Sequence, residues 1–151
     1  TRYWRDWSSD VCSSDLGISA ILQTTGNDDC HVILRGGSTT GPNYDRESVN
    51  RTSQDLVKKL LPSRVMVDFS HGNSQKQHLR QIDVAEDVAI QVQNHDSPIF
   101  GVMIESNLVE GRQDYVPGRQ HVFGQSITDA CLSLEQTEPI LERLAQAVRG
   151  D

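Results

Sequence analysis

The stretch RVMVDFSH, residues 64–71, predicts the class of fold, because its apolar residues follow one another with little alternation. Consecutive burial of this kind is typical of a strand that is covered on both faces of a parallel sheet. Two similar runs, CHVILRGG at 30–37 and PIFGVMIES at 98–106, lie on either side of it along the chain. We therefore predict three strands of one parallel sheet, each ending in glycine or polar residues.

Amphipathic segments separate and follow these strands, and each predicts a helix. Residues 45–61 place apolar side chains on one face at the helical period, with Asp45 as the N-cap. Residues 74–93 and 138–149 carry similar stripes, and Thr137 precedes the last of them as its predicted N-cap. The predicted stripe of the second helix consists of Leu79, Ile82, Ala85, Val88, Ala89 and Val92.

The alternation of strands and helices predicts βαβ units in an α/β fold with a parallel sheet. Such units occur in doubly wound sheets and in (β/α)8 barrels, and a complete barrel typically needs about 250 residues. The chain has 151 residues. The pattern therefore leaves two architectures open, a doubly wound sheet and a portion of a (β/α)8 TIM barrel.

The first sixteen residues, TRYWRDWSSDVCSSDL, differ in character from the rest of the chain. Residues 6–16 match the translation, in one reading frame, of a sequencing-library adapter. We predict that residues 1–16 are a translated artefact outside the fold and that residues 17–151 form the domain, beginning with a short strand and a turn at 17–30. A flexible leader rich in Ser and Asp is the alternative interpretation. The artefact interpretation implies that the domain is a fragment of a longer protein.

The composition narrows the classes of function. A net charge of −7 argues against a general affinity for nucleic acid, which requires a basic face, but leaves room for a local anion site. No apolar stretch approaches the roughly 20 residues that cross a bilayer, and the start lacks an apolar signal core. The three cysteines form no close pair, which predicts reduced thiols and a cytoplasmic location.

Polar side chains stand where the predicted strands end. Arg35 and two glycines end the first strand, His71 ends the second, Glu105 ends the third, and Asp129 opens the region before the last helix. Functional groups of parallel α/β folds collect at the carboxyl ends of strands, so we expect these side chains to converge. An imidazole with two carboxylates suits a divalent ion such as Mn, Fe, Co or Zn, and Arg35 suits a phosphate or a carboxylate.

Each of these residues also has a purely structural interpretation. In that interpretation Arg35 forms a salt bridge to a neighbouring strand end, and His71 is a hydrogen-bonded side chain near two solvated acids. The three candidate ligands are separated by 34 and 24 residues, which is no compact metal motif. Spacing alone therefore favours a structural cluster over a metal centre.

Five blocks in order give the chain a specific resemblance to a known family. They are TTGNDDCHVILRGG, PNYD, VMVDFSHGNSQKQ, GVMIESNLVEG and GQSITDAC, and the resemblance runs from about Gly17 to Arg149. Their order and approximate spacing resemble the microbial class I 3-deoxy-D-arabino-heptulosonate 7-phosphate (DAHP) synthases. The resemblance implies the C-terminal part, about the last three strand–helix units, of a (β/α)8 TIM barrel.

The resemblance also implies a function, the condensation of phosphoenolpyruvate with erythrose 4-phosphate that opens the shikimate pathway of aromatic amino acid biosynthesis. It implies that His71, Glu105 and Asp129 bind the family's divalent metal. It further implies that Arg35 binds the phosphoenolpyruvate phosphate and that Arg35 and His71 act in catalysis. The implied partners are these two small substrates, and the parent enzyme is expected to be a homo-oligomer.

The chain departs from the family's pattern in two places. The family's metal-binding cysteine and its lysine-proline-arginine-threonine loop belong to N-terminal blocks that these residues do not contain, so we expect little activity from this fragment alone. Two alternatives stay open at this stage. One is a related 3-deoxy-octulosonate 8-phosphate synthase, which takes arabinose 5-phosphate, and the other is a non-catalytic α/β binding domain.

Overall fold

The structure is a computed structural model that describes residues 25–27 and 29–150 of the chain. The predicted leader at residues 1–16, and most of the short strand and turn expected at 17–30, lie outside the described residues. The chain divides into two units, Thr1–His31 and Val32–Asp151. The helices and strands described below all belong to the second unit.

Three parallel strands form the main sheet. They are β1 (Val32–Leu34), β2 (Val65–Asp68) and β3 (Ile99–Met103), in the order β1-β2-β3, and both neighbouring pairs are parallel. This arrangement confirms the predicted α/β fold. It also places the carboxyl ends of the three strands at one edge of the sheet. The complete barrel stays a prediction.

Helix α1 (Arg46–Lys58) connects β1 to β2; it was predicted with the correct N-cap, but it ends three residues before the predicted end, because the backbone of Leu60 is left-handed with φ of +58°. Its N-cap is Asp45, whose carboxylate accepts hydrogen bonds from the Ser48 N–H at 2.9 Å and from the Ser48 hydroxyl at 2.7 Å. Val49 and Leu56 are buried in the core. The other apolar side chains of the predicted face, Val57, Leu60 and Leu61, are 56%, 92% and 37% exposed, so the cap was predicted correctly and the buried face only in part.

The second helix begins later than predicted. The segment expected to be helical at 74–93 contains turns, a short 3-10 helix (His78–Arg80) and then helix α2 (Gln81–Val92). The backbone of Gln75 and Lys76 has φ values of +53° and +59°, which are left-handed and incompatible with a right-handed helix. The periodicity of the side chains therefore did not show where the helix starts.

The buried face of α2 differs in part from the predicted stripe. Ile82 is 42% exposed and Leu79 is 48% exposed, whereas Val84 and Gln81 are 1% and 0% exposed. The members of the predicted stripe that are buried are Ala85, Val88 and Ala89. The sheet packs against the side of the helix that carries Val84 and Val88, so Ile82 is turned away from it.

Helix α3 (Leu134–Arg149) begins four residues before the predicted start, and its N-cap is Ser133 instead of Thr137. The Ser133 hydroxyl accepts from the Gln136 N–H at 3.2 Å, and the Gln136 side-chain oxygen accepts from the Ser133 N–H at 2.8 Å. This reciprocal pair is a capping box. Thr137 lies inside the helix, buried, with its hydroxyl 2.7 Å from that of Ser106.

The hydrophobic core lies between the main sheet and the helices. Val65, Val67 and Phe69 are 0% exposed, and they belong to one cluster with Val84 and Val88 of α2. Burial of each such side chain contributes about 1.5–3 kcal/mol. This packing holds the end of β2 in place, and the first candidate ligand follows directly after it.

Two short parallel ladders, which the sequence analysis did not predict, follow the main sheet. Strand β4 (Ser106–Asn107) pairs with β7 (Leu132–Ser133), and β5 (Val109–Arg112) pairs with β6 (Gln125–Ser126). Because β7 pairs with β4, which directly follows β3, the chain that follows β6 comes back to the end of β3. Asp129 lies on this returning segment.

The longest helix among the described residues, α3, has 16 residues. A helix that crosses a bilayer needs about 20 residues, most of them apolar. Within the described part of the chain, no helix combines the required length with the required apolar character.

Candidate metal centre

Three of the predicted site residues converge at the carboxyl edge of the sheet. His71 follows β2, Glu105 follows β3, and Asp129 lies between β6 and β7. One ligand atom from each lies within 4.8 Å of the others, and Nε2 of His71 is 3.4 Å from Oε1 of Glu105. One imidazole nitrogen and two carboxylate oxygens are donors that Zn and other divalent transition metals accept. The cluster is therefore a candidate metal centre built from three distant segments.

A buried carboxylate fixes the orientation of the His71 ring. Asp68, whose side chain is 4% exposed, places Oδ2 2.8 Å from Nδ1 of His71. The Ser70 N–H and hydroxyl donate to Oδ1 of the same carboxylate at 2.8 Å and 2.6 Å. When Nδ1–H donates to Asp68, the lone pair of Nε2 is free on the side that faces Glu105. The ring is thereby oriented to bind a cation through Nε2.

The acidic side chains of the centre repel one another. Burial raises the pKa of the Glu105 carboxyl; nearby His71 lowers it, whereas the charges of Asp129 and Asp68 raise it further. The pKa is raised on balance, which means that the ionised carboxylate is destabilised at this position. A divalent cation between the three ligands would offset this repulsion. The electrostatics of the site therefore favour a bound cation.

The centre opens into a cleft of about 690 Å³, and Arg35 lines the same cleft as the three candidate ligands. Lys76 and His78 also line it, so positive or protonatable groups stand beside the acidic cluster. The remaining lining includes Gly36, Gly37, Ser38, Gly41, Gly72 and Ser74. A guanidinium beside a cation site suits a substrate that carries both an anionic group and a polarisable oxygen.

Two loops touch where β1 and β2 end, and this contact brings the segment of Arg35 next to that of His71. A Cβ atom on Gly72 would lie 2.5 Å from the backbone nitrogen of Gly37 and 2.6 Å from the carbonyl carbon of Gly36. Atoms in protein interiors do not approach so closely without displacement of the backbone. The glycines of the two strand ends are therefore a packing requirement of the cleft.

Asn73, which is 1% exposed, joins the same two strand ends by hydrogen bonds. Its Nδ2 donates to the carbonyl oxygens of Leu34 at 3.0 Å and Asp68 at 2.7 Å. Its Oδ1 accepts from the Asn43 N–H at 2.8 Å, and its own N–H donates to the Arg35 carbonyl at 3.2 Å. One buried amide thus connects β1, β2 and the loop that follows Arg35.

Sequence reasoning did not single out Asp68, Asn73 or Gln81, although all three are buried and support the centre. An acid inside an otherwise apolar run was a usable signal for Asp68. An asparagine two residues after His71, in a glycine-containing turn, was a weaker signal for Asn73. Gln81 gave no signal, because a glutamine at the start of a helix is ordinary. His78, which begins the short 3-10 helix, places Nε2 2.9 Å from Oε1 of Glu110.

The parallel sheet carries a histidine and two acids at its carboxyl edge, beside a cleft that an arginine lines. These features define the class of α/β proteins with a parallel sheet and a site at its carboxyl edge. Proteins of this class carry their active sites on the loops that follow the strands. The model of the DAHP synthetase I family matches residues 8–142. Because this match spans most of the 151 residues, the chain belongs to the DAHP synthetase I family.

Similar proteins carry one consistent name. A phospho-2-dehydro-3-deoxyheptonate aldolase of Haemophilus influenzae is 53% identical over 132 residues, which cover 87% of this chain and 36% of that protein. The tyrosine-inhibited aldolase of Schizosaccharomyces pombe is 54% identical over 139 residues, covering 89% and 37%. The solved structure of the Francisella tularensis aldolase superposes with a TM-score of 0.78 at 48% identity, covering 88% and 38%. The chain thus spans a little over a third of the length of these relatives.

Proposed function

We propose that this chain is the C-terminal part, about the last three strand–helix units, of a (β/α)8 barrel enzyme, a DAHP synthase. The enzyme condenses phosphoenolpyruvate with erythrose 4-phosphate, releases phosphate and thereby opens the shikimate pathway. The convergence of His71, Glu105 and Asp129 to within 4.8 Å of one another is the observation that carries this proposal. The names of the relatives, phospho-2-dehydro-3-deoxyheptonate aldolases, support it.

In this proposal Nε2 of His71 and the carboxylates of Glu105 and Asp129 hold a divalent ion, namely Mn, Fe, Co or Zn. When bound, the ion supplies Lewis acidity that polarises the aldehyde oxygen of the sugar phosphate. Asp68 holds the proton on Nδ1 of His71 and so keeps Nε2 available as a ligand. The family's cysteine ligand is not among these residues, and we expect the three ligands alone to bind a metal more weakly than the whole enzyme.

Arg35 is proposed to bind the phosphate of phosphoenolpyruvate. Its guanidinium is permanently charged and donates two parallel hydrogen bonds to a phosphate. Gly36 and Gly37 follow it along the chain and line the same cleft, so their backbone stands beside the proposed anion site. The negative net charge of the chain does not oppose this role, because the anion meets a local cationic group.

Metal binding tests the proposed centre directly. We expect the chain to bind Mn²⁺, measured by the loss of the free-ion electron paramagnetic resonance signal, and we expect His71→Ala to abolish binding. His95→Ala is the matched control, because His95 is exposed and does not line the cleft. Equal Mn²⁺ affinity in the two variants, or no binding by the unsubstituted chain, would contradict the proposed metal centre and favour a non-catalytic domain.

The reaction itself requires an assay of the longer protein. We expect the full-length protein that carries this sequence to release phosphate from phosphoenolpyruvate with erythrose 4-phosphate, and to do so poorly with arabinose 5-phosphate. We expect little turnover from the 151-residue chain alone. A preference for arabinose 5-phosphate would identify a 3-deoxy-octulosonate 8-phosphate synthase instead, and full turnover by the short chain would exclude the fragment proposal.

The boundary of the domain is also a proposal, with residues 1–16 as translated adapter and 17–151 as the barrel portion. Resequencing of the source DNA upstream of Gly17 tests it. We expect the reading frame to continue there into the family's cysteine and lysine-proline-arginine-threonine blocks in place of the adapter. An unchanged leader in independently prepared DNA would refute the artefact interpretation.

A further inference from the structure

The side chain of Gln81 holds the backbone of Glu105 through both its N–H and its C=O. Oε1 of Gln81 accepts a hydrogen bond from the Glu105 N–H at 2.9 Å, and Nε2 of Gln81 donates to the Glu105 carbonyl oxygen at 3.1 Å. Gln81 is 0% exposed. A primary amide carries an acceptor oxygen and a donor nitrogen side by side, so one side chain can satisfy the N–H and the C=O of the same residue together. The pairing therefore fixes the backbone from which the Glu105 carboxylate extends.

The same peptide also receives a hydrogen bond from the third ligand-bearing segment. The Leu132 N–H donates to the Glu105 carbonyl oxygen at 3.0 Å, and Leu132 lies three residues after Asp129. Gln81, in turn, begins the helix that follows the loop of His71. The segments that carry all three candidate ligands therefore meet at the backbone of Glu105.

We propose that Gln81 is a positioning residue of the metal centre, which sets the distance and direction of the Glu105 carboxylate relative to Nε2 of His71. The inference rests on the proposed function, because it assigns a role within that metal centre. The distance between Nε2 of His71 and Oε1 of Glu105 is 3.4 Å, which lets both atoms reach one cation, and a shift of the Glu105 backbone would change this distance. Without the Gln81 side chain, the Glu105 backbone keeps the hydrogen bond from the Leu132 N–H but loses its two hydrogen bonds to the amide of Gln81 in α2.

A second buried glutamine of the same helix separates this role from simple stabilisation. Gln91 is 5% exposed, and its Nε2 donates to the Tyr44 carbonyl at 2.8 Å and to Asp87 at 2.6 Å. None of the hydrogen-bond partners of Gln91 in the described part of the chain is a candidate ligand. Removal of either amide costs buried hydrogen bonds, but only the removal of the Gln81 amide takes hydrogen bonds away from the Glu105 backbone.

The test measures the Mn²⁺ dissociation constant of the full chain and of Gln81→Met and Gln91→Met, with urea unfolding of each. We expect both substitutions to lower stability by similar amounts. We expect Gln81→Met to weaken Mn²⁺ binding about tenfold, the range found for residues that orient ligands, and Gln91→Met to leave it within about twofold. In Gln81→Glu, the carboxylate keeps the acceptor for the Glu105 N–H and lacks the donor, so this variant provides the measurement where Gln81→Met does not fold.

The possible outcomes distinguish this inference from the proposed function. Binding of Mn²⁺ that His71→Ala abolishes, together with equal affinities in the Gln81 and Gln91 variants, would overturn the positioning role and leave the metal centre intact. Absence of Mn²⁺ binding by the unsubstituted chain would overturn both. A loss of affinity in the Gln81 variants alone would support the inference.

Discussion

Oδ2 of Asp68 lies 2.8 Å from Nδ1 of His71, where Oγ of Ser70 also lies at 2.7 Å, and a proton on Nδ1 that donates to this carboxylate leaves Nε2 as the nitrogen that can bind a metal. Asp68→Asn keeps the shape of the side chain but can present an N–H to Nδ1, which favours the tautomer with the proton on Nε2. We expect Mn²⁺ affinity to fall about tenfold to a hundredfold, as for other partners of metal-binding histidines. Titration of Mn²⁺ and the ¹⁵N shifts of the His71 ring check this.

Ser38→Ala is a suitable control for that experiment, because Ser38 lines the cleft and, within the part of the chain that the structure describes, forms no hydrogen bond to a candidate ligand. Unchanged Mn²⁺ affinity in Asp68→Asn, with the ring proton still on Nδ1, would show that Asp68 does not set the tautomer.

Glu105 should make the stability of the metal-free chain depend on pH. Its pKa is raised above the ordinary value of 4.5, chiefly by burial, so the folded state holds this proton to a higher pH than the unfolded chain does. Stability should therefore fall as the pH rises through the interval between 4.5 and the raised pKa, and stay lower above it. We expect Glu105→Gln to remove this loss, measured by urea unfolding in EDTA between pH 4 and about pH 8.

Glu86 provides a comparison with the opposite sign. A hydrogen bond from the Arg143 side chain lowers the pKa of Glu86, so its stabilising contribution is present above 4.5 and is lost as the pH falls. Glu86→Gln should therefore destabilise the chain more at neutral pH than at acid pH. The same pH trend in both variants would contradict the assignment for Glu105.

Asn73 should contribute strongly to stability because its side chain replaces several backbone partners at the strand ends. Asn73→Ala removes the two hydrogen bonds that its Nδ2 donates to the carbonyls of Leu34 and Asp68. We expect the free energy of unfolding to fall by about 1–3 kcal/mol, measured by urea titration. Asn50→Ala, at an exposed position of α1, should change it by no more than about 0.5 kcal/mol. Equal effects at the two positions would refute the role of Asn73.

Gly72 should not tolerate a methyl group. The Cβ of Gly72→Ala would lie 2.5–2.6 Å from backbone atoms of Gly37 and Gly36, which cannot move aside as a flexible side chain can. We expect a loss of about 1–3 kcal/mol in unfolding free energy, together with a loss of Mn²⁺ affinity as the His71 loop is displaced.

Gly101→Ala is the matched control for Gly72→Ala, because its Cβ would meet only the terminal methyl of Met66, at 3.1 Å. We expect it to cost less stability and to leave metal affinity unchanged. A Gly72→Ala variant as stable as Gly101→Ala would show that the two strand-end loops separate easily.

Local sequence was sufficient where the structural determinant is local. Helix α1 was predicted together with its cap, Asp45, and the uninterrupted apolar runs correctly indicated parallel strands. The start of α2 was wrong because the left-handed backbone at Gln75 and Lys76 interrupts a pattern that looks continuous in the sequence. The cap of α3 was misassigned to Thr137 because the reciprocal pair of Ser133 and Gln136 went unrecognised.

The sequence by itself determined the α/β class, the edge at which polar groups collect, and, through the blocks that resemble a family, four candidate residues: Arg35, His71, Glu105 and Asp129. Only the tertiary structure decided that three of them lie within 4.8 Å, that Asp68 contacts the ring of His71, and that Gln81 hydrogen-bonds the backbone of Glu105. The physical reason is the separation along the chain of the residues that contact one another. Helix and strand patterns record contacts between near neighbours, whereas a buried amide that bonds a peptide 24 residues away leaves no periodic trace in the chain.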